Sequence, residues 1–489
     1  MKSVSHGKPC AGNPHARFDE GASASEEPRR KALLHKKLIV LGLAFAAVCT
    51  SFAGEWTFTK NDVWGGYDSG SLRSADGWEL NVWFDAPTER MCVRGYVAGE
   101  GVLDLNDPIV NGTPIQYVRF WNQVFKAAPV TEFRCNKFDQ ASPNDMTWAL
   151  FMNNQTLEKF SIGGTGCFEF FSDFVRNCPN LTDLVVEIPN MTNFHASAVQ
   201  DTPALERLVI RSDKNVNFNG LTFQDRTALK SVVWDLPENK EIPSAMFKGC
   251  EALVSVDLQS EVTGFGTEAF DLCTSLVGDI SMLVSPSVES IGDCAFEGCS
   301  GLTGKLVVTN LHYLGGAAFA RTSLQEIDLR GPITTEGWTN GKYKNGVRFS
   351  GCTSMTNAVF DLPNLTTLCS GDFDGCWRLK SVYFLRKPFS AESMRYLLNG
   401  KGLSPRDCTI YVSSVQWPVA EWAAGGWRAL TEDEKNNAAK PPRCFGMCDV
   451  GDPSIEEGDG NSRWTQQRLA WFARWKSPCD PERFLVILR

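Results

Sequence analysis

Eleven apolar anchors recur along this chain: Val130, Leu157, Leu181, Leu205, Leu229, Leu253, Leu276, Leu302, Leu324, Met355 and Leu379. The steps between them are 27, 24, 24, 24, 24, 23, 26, 22, 31 and 24 residues. Six residues before most anchors stands a second apolar residue, among them Phe151, Val175, Val199, Phe223, Phe247, Phe270, Phe296, Phe349 and Phe373. The copy at Leu324 is one residue short, with Phe319 five before it. A period of this length rules out an ordinary globular core. One unit is too small to bury its own apolar face, so neighbours must stack and the chain must wind as a solenoid.

The clearest copies read FKGCEALVSVDL from Phe247, FDLCTSLVGDI from Phe270, FEGCSGLTGKLVV from Phe296 and FDGCWRLKSVYF from Phe373. After Leu253, Val256 and Leu258 are separated by Asp257, an alternation that predicts a short half-buried strand. The fold expected is therefore an α/β-type repeat solenoid with one short strand per coil of about 24 residues. Its structural positions are Phe247, Cys250 and Leu253, then Phe270, Cys273 and Leu276, then Phe296, Cys299 and Leu302, and Phe373, Cys376 and Leu379. The run Ser290-Ile291-Gly292 and the spacing Ala295-Phe296-x-x-Cys299-x-x-Leu302 resemble the BspA-like, or Treponema-type, leucine-rich repeats. The resemblance is strongest over residues 242–384 and extends in weaker copies back to about residue 124. It implies a curved solenoid and a bacterial protein that is secreted or held at the cell surface, some members being adhesins. It says nothing about a ligand, because the motif consists of core residues.

Export is also expected from the N-terminal residues. The basic stretch RRKALLHKK at 29–37 precedes 16 mostly apolar or small residues, Leu38 to Ala53. Ser51-Phe52-Ala53 supplies small residues for a signal peptidase, so cleavage is expected before Gly54. An uncleaved anchor is the alternative, although the run is short for a membrane span. Residues 1–28 are polar and receive no fold. Without residues 1–53, 40 Lys and Arg remain against 53 Asp and Glu. A formal net charge near −13 argues against nucleic acid as a partner and against adhesion to anionic lipid by charge alone.

The 17 cysteines invite a disulfide reading. However, Cys178, Cys250, Cys273, Cys299, Cys352 and Cys376 share one repeat position, three before the anchor. They read as an interior column of small thiols with weak S–H donors. Cys444, Cys448 and Cys479 stand apart in a Pro- and Gly-rich region, where a disulfide is plausible and a zinc site less so, for want of Cys-x-x-Cys spacing or a nearby His.

The domain plan is a leader and signal peptide at 1–53, a β-rich N-terminal cap or small β domain at 54–112 and the solenoid at 113–389. A C-terminal cap at 390–430 and a linker with a Trp-rich tail at 431–489 complete it. WTF, WELNVWF and MCVRGYV supply the strands of the N-terminal piece. Ser390 to Asn399 reads as a helix and CTIYV at 408–412 as a final strand. Trp417, Trp422 and Trp427 are expected to close the C-terminal end. Residues 464–476, WTQQRLAWFARWK, read as a short helix, either packed on the cap or docking a partner.

Catalysis finds little support. Phosphate-loop, nucleophile-elbow and zinc-protease motifs are missing. Outside the leader only His195 and His312 remain as histidines, both inside repeats where structural roles are expected. Gly163-Gly164-Thr165-Gly166 reads as a loop between coils. Asp449, Asp452, Glu456, Glu457 and Asp459 lack calcium-loop spacing and read as a solvated linker. No metal or cofactor is expected. A binding site is sought instead on the outward strand face. One column there runs Lys159, Asp183, Arg207, Ser231, Ser255, and the next Ser161, Val185, Val209, Val233, Asp257. Three valines beside stacked charges, with Lys159, Asp183, Val185, Arg207, Val209 and Val233 as candidates, mark a partner site or simply β-propensity on a sheet. On the first reading, Val209→Glu abolishes binding and leaves the fold intact. The reading overall is a secreted or surface-displayed, non-catalytic protein for protein or glycan binding and adhesion. The alternatives are an envelope scaffold and an accessory module of an extracellular hydrolytic system.

Overall fold

The computed structural model describes residues 55–385, except 140–148, 171, 221–222, 335–336, 339–345, 366–367 and 370. It also describes the backbone of four later strands, Thr409–Ser413, Trp427–Ala429, Phe445–Asp449 and Arg468–Trp475. The leader, the Ser390–Asn399 segment, Trp417, Trp422, Cys444 and Cys479 lie outside the described residues, as does most of the acidic cluster.

The chain winds as a β-solenoid of about 11 turns. None of the eleven anchors is more than 2% exposed. Most anchors, unlike Val130, which opens Val130–Cys135, and Leu302, which lies within Gly301–Thr303, sit in the turn just before their strand. Leu253, for example, donates its N–H to the carbonyl of Cys250 (3.0 Å), and the strand begins at Ser255. Alternation then sorts the side chains: in Asp183–Glu187, Leu184 and Val186 are buried while Asp183, Val185 and Glu187 face outward. Parallel pairing stacks equivalent residues without slippage, Lys159 on Asp183 on Arg207 on Ser231 on Ser255.

This first sheet has seven strands, from Gly101–Asp104 to Ser255–Leu258. A second begins at Lys305–Val308 and continues through Glu326–Arg330, Asn357–Asp361 and Ser381–Phe384. Between them Val277–Asp279 and Gly301–Thr303 pair with each other and join neither sheet, while a separate four-stranded sheet, Glu241–Ile242, Gly264–Phe265, Ser290–Ile291 and Tyr313–Leu314, runs past the break. The break has a local cause. The coil after Leu276 reads Val-Gly-Asp-Ile-Ser-Met, and Gly278 takes a φ of 125°. Asp279 then accepts from the Ser281 N–H (2.9 Å), turning the chain into the 3-10 turn Ile280–Met282.

The opposite corner of each coil is just as regular. Phe247, Phe270, Phe296, Phe319, Phe349 and Phe373 form a near-parallel stack with centroids 5.3–5.9 Å apart. Where the column holds Val175 and Val199, Phe170, Phe174 and Phe194 fill the interior instead. Two residues after each member, from Asn153 to Gly375, the backbone is left-handed, with φ between 54° and 78°. That conformation swings the N–H toward the next coil, as in Gly249 to the Asp271 carbonyl (2.7 Å) and Leu272 to that of Glu297 (2.8 Å). Coils are thus hydrogen-bonded to one another at the corner as well as in the sheet.

The longest step, before Met355, is bridged by a buried ion pair. Arg348 meets Asp372 at 2.9 Å and donates to the Leu314 carbonyl (3.0 Å), while the Trp338 indole donates to Asp372 (3.0 Å).

The N-terminal sheet contains β1 (Glu55–Trp64), β2 (Tyr67–Ser74), β3 (Glu79–Asp85) and β4 (Arg90–Ala98). The strand β5 (Gly101–Asp104) leaves it, and β6 (Ile109–Val110), β7 (Thr113–Pro114) and β8 (Tyr117–Phe120) rejoin it, in the order β7-β6-β1-β2-β3-β4-β8. Sheet and solenoid therefore interleave instead of meeting at residue 112. The strand β5 already belongs to the solenoid sheet, paired with Val130–Cys135. The strand β8 belongs to the cap, and Val118 bridges to Phe138. One core runs continuously from Trp56 to Phe384. This gives the first coil a bonded neighbour, which an open end would lack.

At the C-terminal end the tail departs from the helix expected at 464–476. Arg468–Trp475 is a strand, parallel to Thr409–Ser413 and antiparallel to Phe445–Asp449. The last is itself a strand inside the expected linker. Aromatic residues on consecutive positions suit a pleated surface, and the edge of Thr409–Ser413, which itself pairs with the last coil, supplies the partner.

Candidate binding faces

The expected outward columns are realised on the first sheet. Glu132, Lys159, Asp183 and Arg207 stack with alternating charge, and their ion pairs include Lys159–Glu132 at 3.9 Å and Arg207–Asp183 at 3.2 Å. Along the other edge Arg211 pairs with Glu187 and, at 3.6 Å, with Asp235. Between these ladders Val185, Val209 and Val233 stand in register. Such exposed pairs are worth up to about 1 kcal/mol each, so they tune the surface more than they hold the fold.

The three valines are not equally open. Val185 and Val233 are half-buried, whereas Val209, flanked by Arg207 and Arg211, is 2% exposed. Val209→Glu would therefore bury a carboxylate and disturb the fold, contrary to the expectation of an intact fold. Alternation places a residue outward but does not report how far its neighbours close over it.

The structural positions all lie inside, from Phe247, Cys250 and Leu253 to Phe373, Cys376 and Leu379. The six column cysteines are thiols, not disulfides. Each donates to the carbonyl of the preceding coil's corner residue: Cys178 to Phe151, Cys250 to Phe223, Cys273 to Phe247, Cys299 to Phe270, Cys352 to Phe319 and Cys376 to Phe349, at 3.1–3.2 Å. Burial pushes the thiols of Cys178 and Cys250 up to about 12 and that of Cys352 to about 11. Neutral, inaccessible thiols of this kind are structural. His195 and His312 make local contacts, to Ser197 and to the Asn310 carbonyl (2.8 Å). The backbone of Gly164 lies against that of Phe138, where a side chain would clash, so the glycine run is a packed inter-coil loop.

A second surface escaped the sequence reading. On the N-terminal sheet the rings of Trp64 and Trp83 lie 4.6 Å apart at 12°, and Tyr67 lies 6.4 Å from Trp83 at 13°. Trp121 meets Trp83 edge-on at 5.6 Å. Trp64, Tyr67 and Trp121 are 58%, 41% and 42% exposed. The Trp83 Nε1 is buried with no hydrogen-bond partner, which costs about 1–3 kcal/mol. The alternation in WELNVWF did place Trp83 on the side opposite Val82 and Phe84. Its convergence with the β1–β2 turn and with Trp121 depends on strand register.

Among the described residues no helix is long and apolar enough to cross a membrane. The model of the BspA type leucine rich repeat region matches in 6 copies over residues 216–339 and 278–394. Solved structures similar to this chain include a leucine-rich repeat protein from Bacteroides ovatus, 16% identical, covering 62% of this chain and 92% of its own, with a TM-score of 0.23. A leucine rich cell surface protein from Faecalibacterium prausnitzii is 15% identical over 76% of this chain and 98% of its own, with a TM-score of 0.24. The T. pallidum leucine rich repeat protein is 16% identical over 40% and 87%, also with a TM-score of 0.24. No curated protein sequence matches this chain. Residues 216–394 thus match the BspA-type leucine-rich repeat, and the coils before residue 216 continue the same solenoid.

Proposed function

We propose that this chain is an exported recognition protein that binds a protein partner across the outward face of its first sheet, without catalysis. The observation that carries this reading is the pair of half-buried valines, Val185 and Val233, standing on either side of the covered Val209 between two ladders of alternating charge. An apolar centre with a charged rim is the make-up of a protein interface, in which the rim sets register and the centre excludes water. The basic stretch at 29–37 and the apolar run to Ala53 support export, with a mature end at Gly54.

A photo-crosslinking residue at Val233, in protein displayed by intact producing cells, tests the face. The expected result is a discrete protein adduct that is lost in a Val185→Thr/Val233→Thr variant of unchanged melting temperature. A crosslinker at the exposed corner residue Glu251 should give no such adduct. Equal adducts at both positions, or none at Val233, would overturn the assignment. Terminal sequencing of the same material should begin at Gly54.

A further inference from the structure

The aromatic cluster of the N-terminal sheet is not core. The inner face of that sheet is already filled by Trp56, Leu72, Leu80, Val82, Met91 and Val93, all buried. Trp64 and Tyr67 instead flank the Gly65-Gly66 turn of the β1–β2 hairpin and lie on the outward face with Trp83. The guanidinium of Arg94, exposed on β4, lies 3.9 Å from the Trp83 ring centre, 5.0 Å from that of Trp121 and 5.9 Å from that of Trp64. Among the described residues Arg94 has no carboxylate partner, although the chain carries an excess of acidic side chains. Asp62, on the same face, turns its carboxylate to the Val63 N–H (2.8 Å).

Around the rings the sheet is small and polar. Ser69 stands opposite Trp83, and Ser71 opposite Asn81. Flat, open indole and phenol faces suit a flat apolar surface laid upon them. The C–H face of a pyranose is such a surface, and its hydroxyls would meet the serines and Asn81. An apolar peptide side chain would find no such partners there. The unpaired cation adds a requirement for negative charge, made specific by the fork geometry of a guanidinium.

We infer that Trp64, Tyr67, Trp83, Trp121 and Arg94 form a binding platform for a carboxylate-bearing pyranose, the uronic or sialic acid unit of an acidic glycan. The sugar ring stacks on Trp64 and the carboxylate pairs with Arg94. This site is separate from the solenoid strip and goes beyond the protein-binding reading.

Tryptophan fluorescence and calorimetric titration of the full chain test it, with trigalacturonate against its methyl ester and 3′-sialyllactose against lactose. Binding of at least one acid, tenfold or more tighter than its neutral counterpart, is expected. Arg94→Gln should remove that difference, and Trp64→Ala should abolish binding with the melting temperature unchanged. Preference for one acid assigns the sugar. Failure of both acids, equal binding of acid and neutral forms, or an Arg94→Gln protein that keeps the preference would overturn the proposal. So would a protein trapped by a photo-crosslinker at position 64 when no saccharide binds. The Val185→Thr/Val233→Thr protein should bind the acid normally, so the two proposals fail independently.

Discussion

Three residues after each corner phenylalanine or its valine substitute stand Asn154, Cys178, Thr202, Arg226, Cys250, Cys273, Cys299, Thr322, Cys352 and Cys376, and all can donate a hydrogen bond. Asn154 donates to the Phe125 carbonyl (2.8 Å) and Arg226 to that of Val199 (2.9 Å), as the cysteines do to theirs, while Thr202 and Thr322 satisfy a carbonyl in their own coil. The position is thus selected for a donor that reaches a buried carbonyl, and a thiol is the least polar way to provide one. Spacing alone exposed the column as interior. It did not reveal the acceptor, which lies in another coil and is set by stacking. The folded state holds these thiols neutral up to about 12 in Cys178 and Cys250, against an ordinary value of 9.0. Their contribution is therefore complete below pH ~9 and is lost as the pH rises from there toward 12, because only the unfolded chain releases the proton. Urea midpoints should fall between pH 8 and 10.5, and a Cys250→Thr protein should show a shallower fall. An identical fall in both proteins would count against the column as its source.

At the scale of the strand, period-two alternation was enough to identify which residues stack, and every pairing expected from Lys159 to Asp257 is present. Depth was not legible, because it depends on the lateral neighbours that cover a side chain. Val209 is the case in point. Val209→Glu should destabilise the protein by about 2 kcal/mol or more through burial of an unpaired carboxylate. Val233→Thr should shift stability by less than about 1 kcal/mol. Chemical denaturation of the two proteins checks this, and equal stabilities would show that Val209 is not covered in solution. The tail illustrates the converse limit. A short aromatic run fits a helical face and a strand alike, and the edge offered by Thr409–Ser413 decides between them.

Across the whole molecule, repeat number and interior columns could be read from the chain, because each coil obeys the same local rule. The interleaved cap and the broken sheet could not, since both arise where the rule lapses. The break interrupts the sheet at Val277–Thr303 while the phenylalanine stack runs through it from Phe247 to Phe373. Hydrogen exchange should therefore be faster in the strands Val277–Asp279 and Gly301–Thr303 than in those of either flanking sheet, with the corner amides of Phe270 and Phe296 still protected. Uniform protection across the strands would mean that sheet continuity matters less than the stack. The corner and sheet bonds between coils, such as Gly249 to Asp271 and Arg207's strand to Asp183's, all join one coil to the next. A pull between the two ends would load these contacts in series, opening one coil at a time instead of shearing many together. Each coil of about 24 residues would then yield roughly 80 Å of slack, so a load carried through this chain would meet a paying-out line before a breaking one.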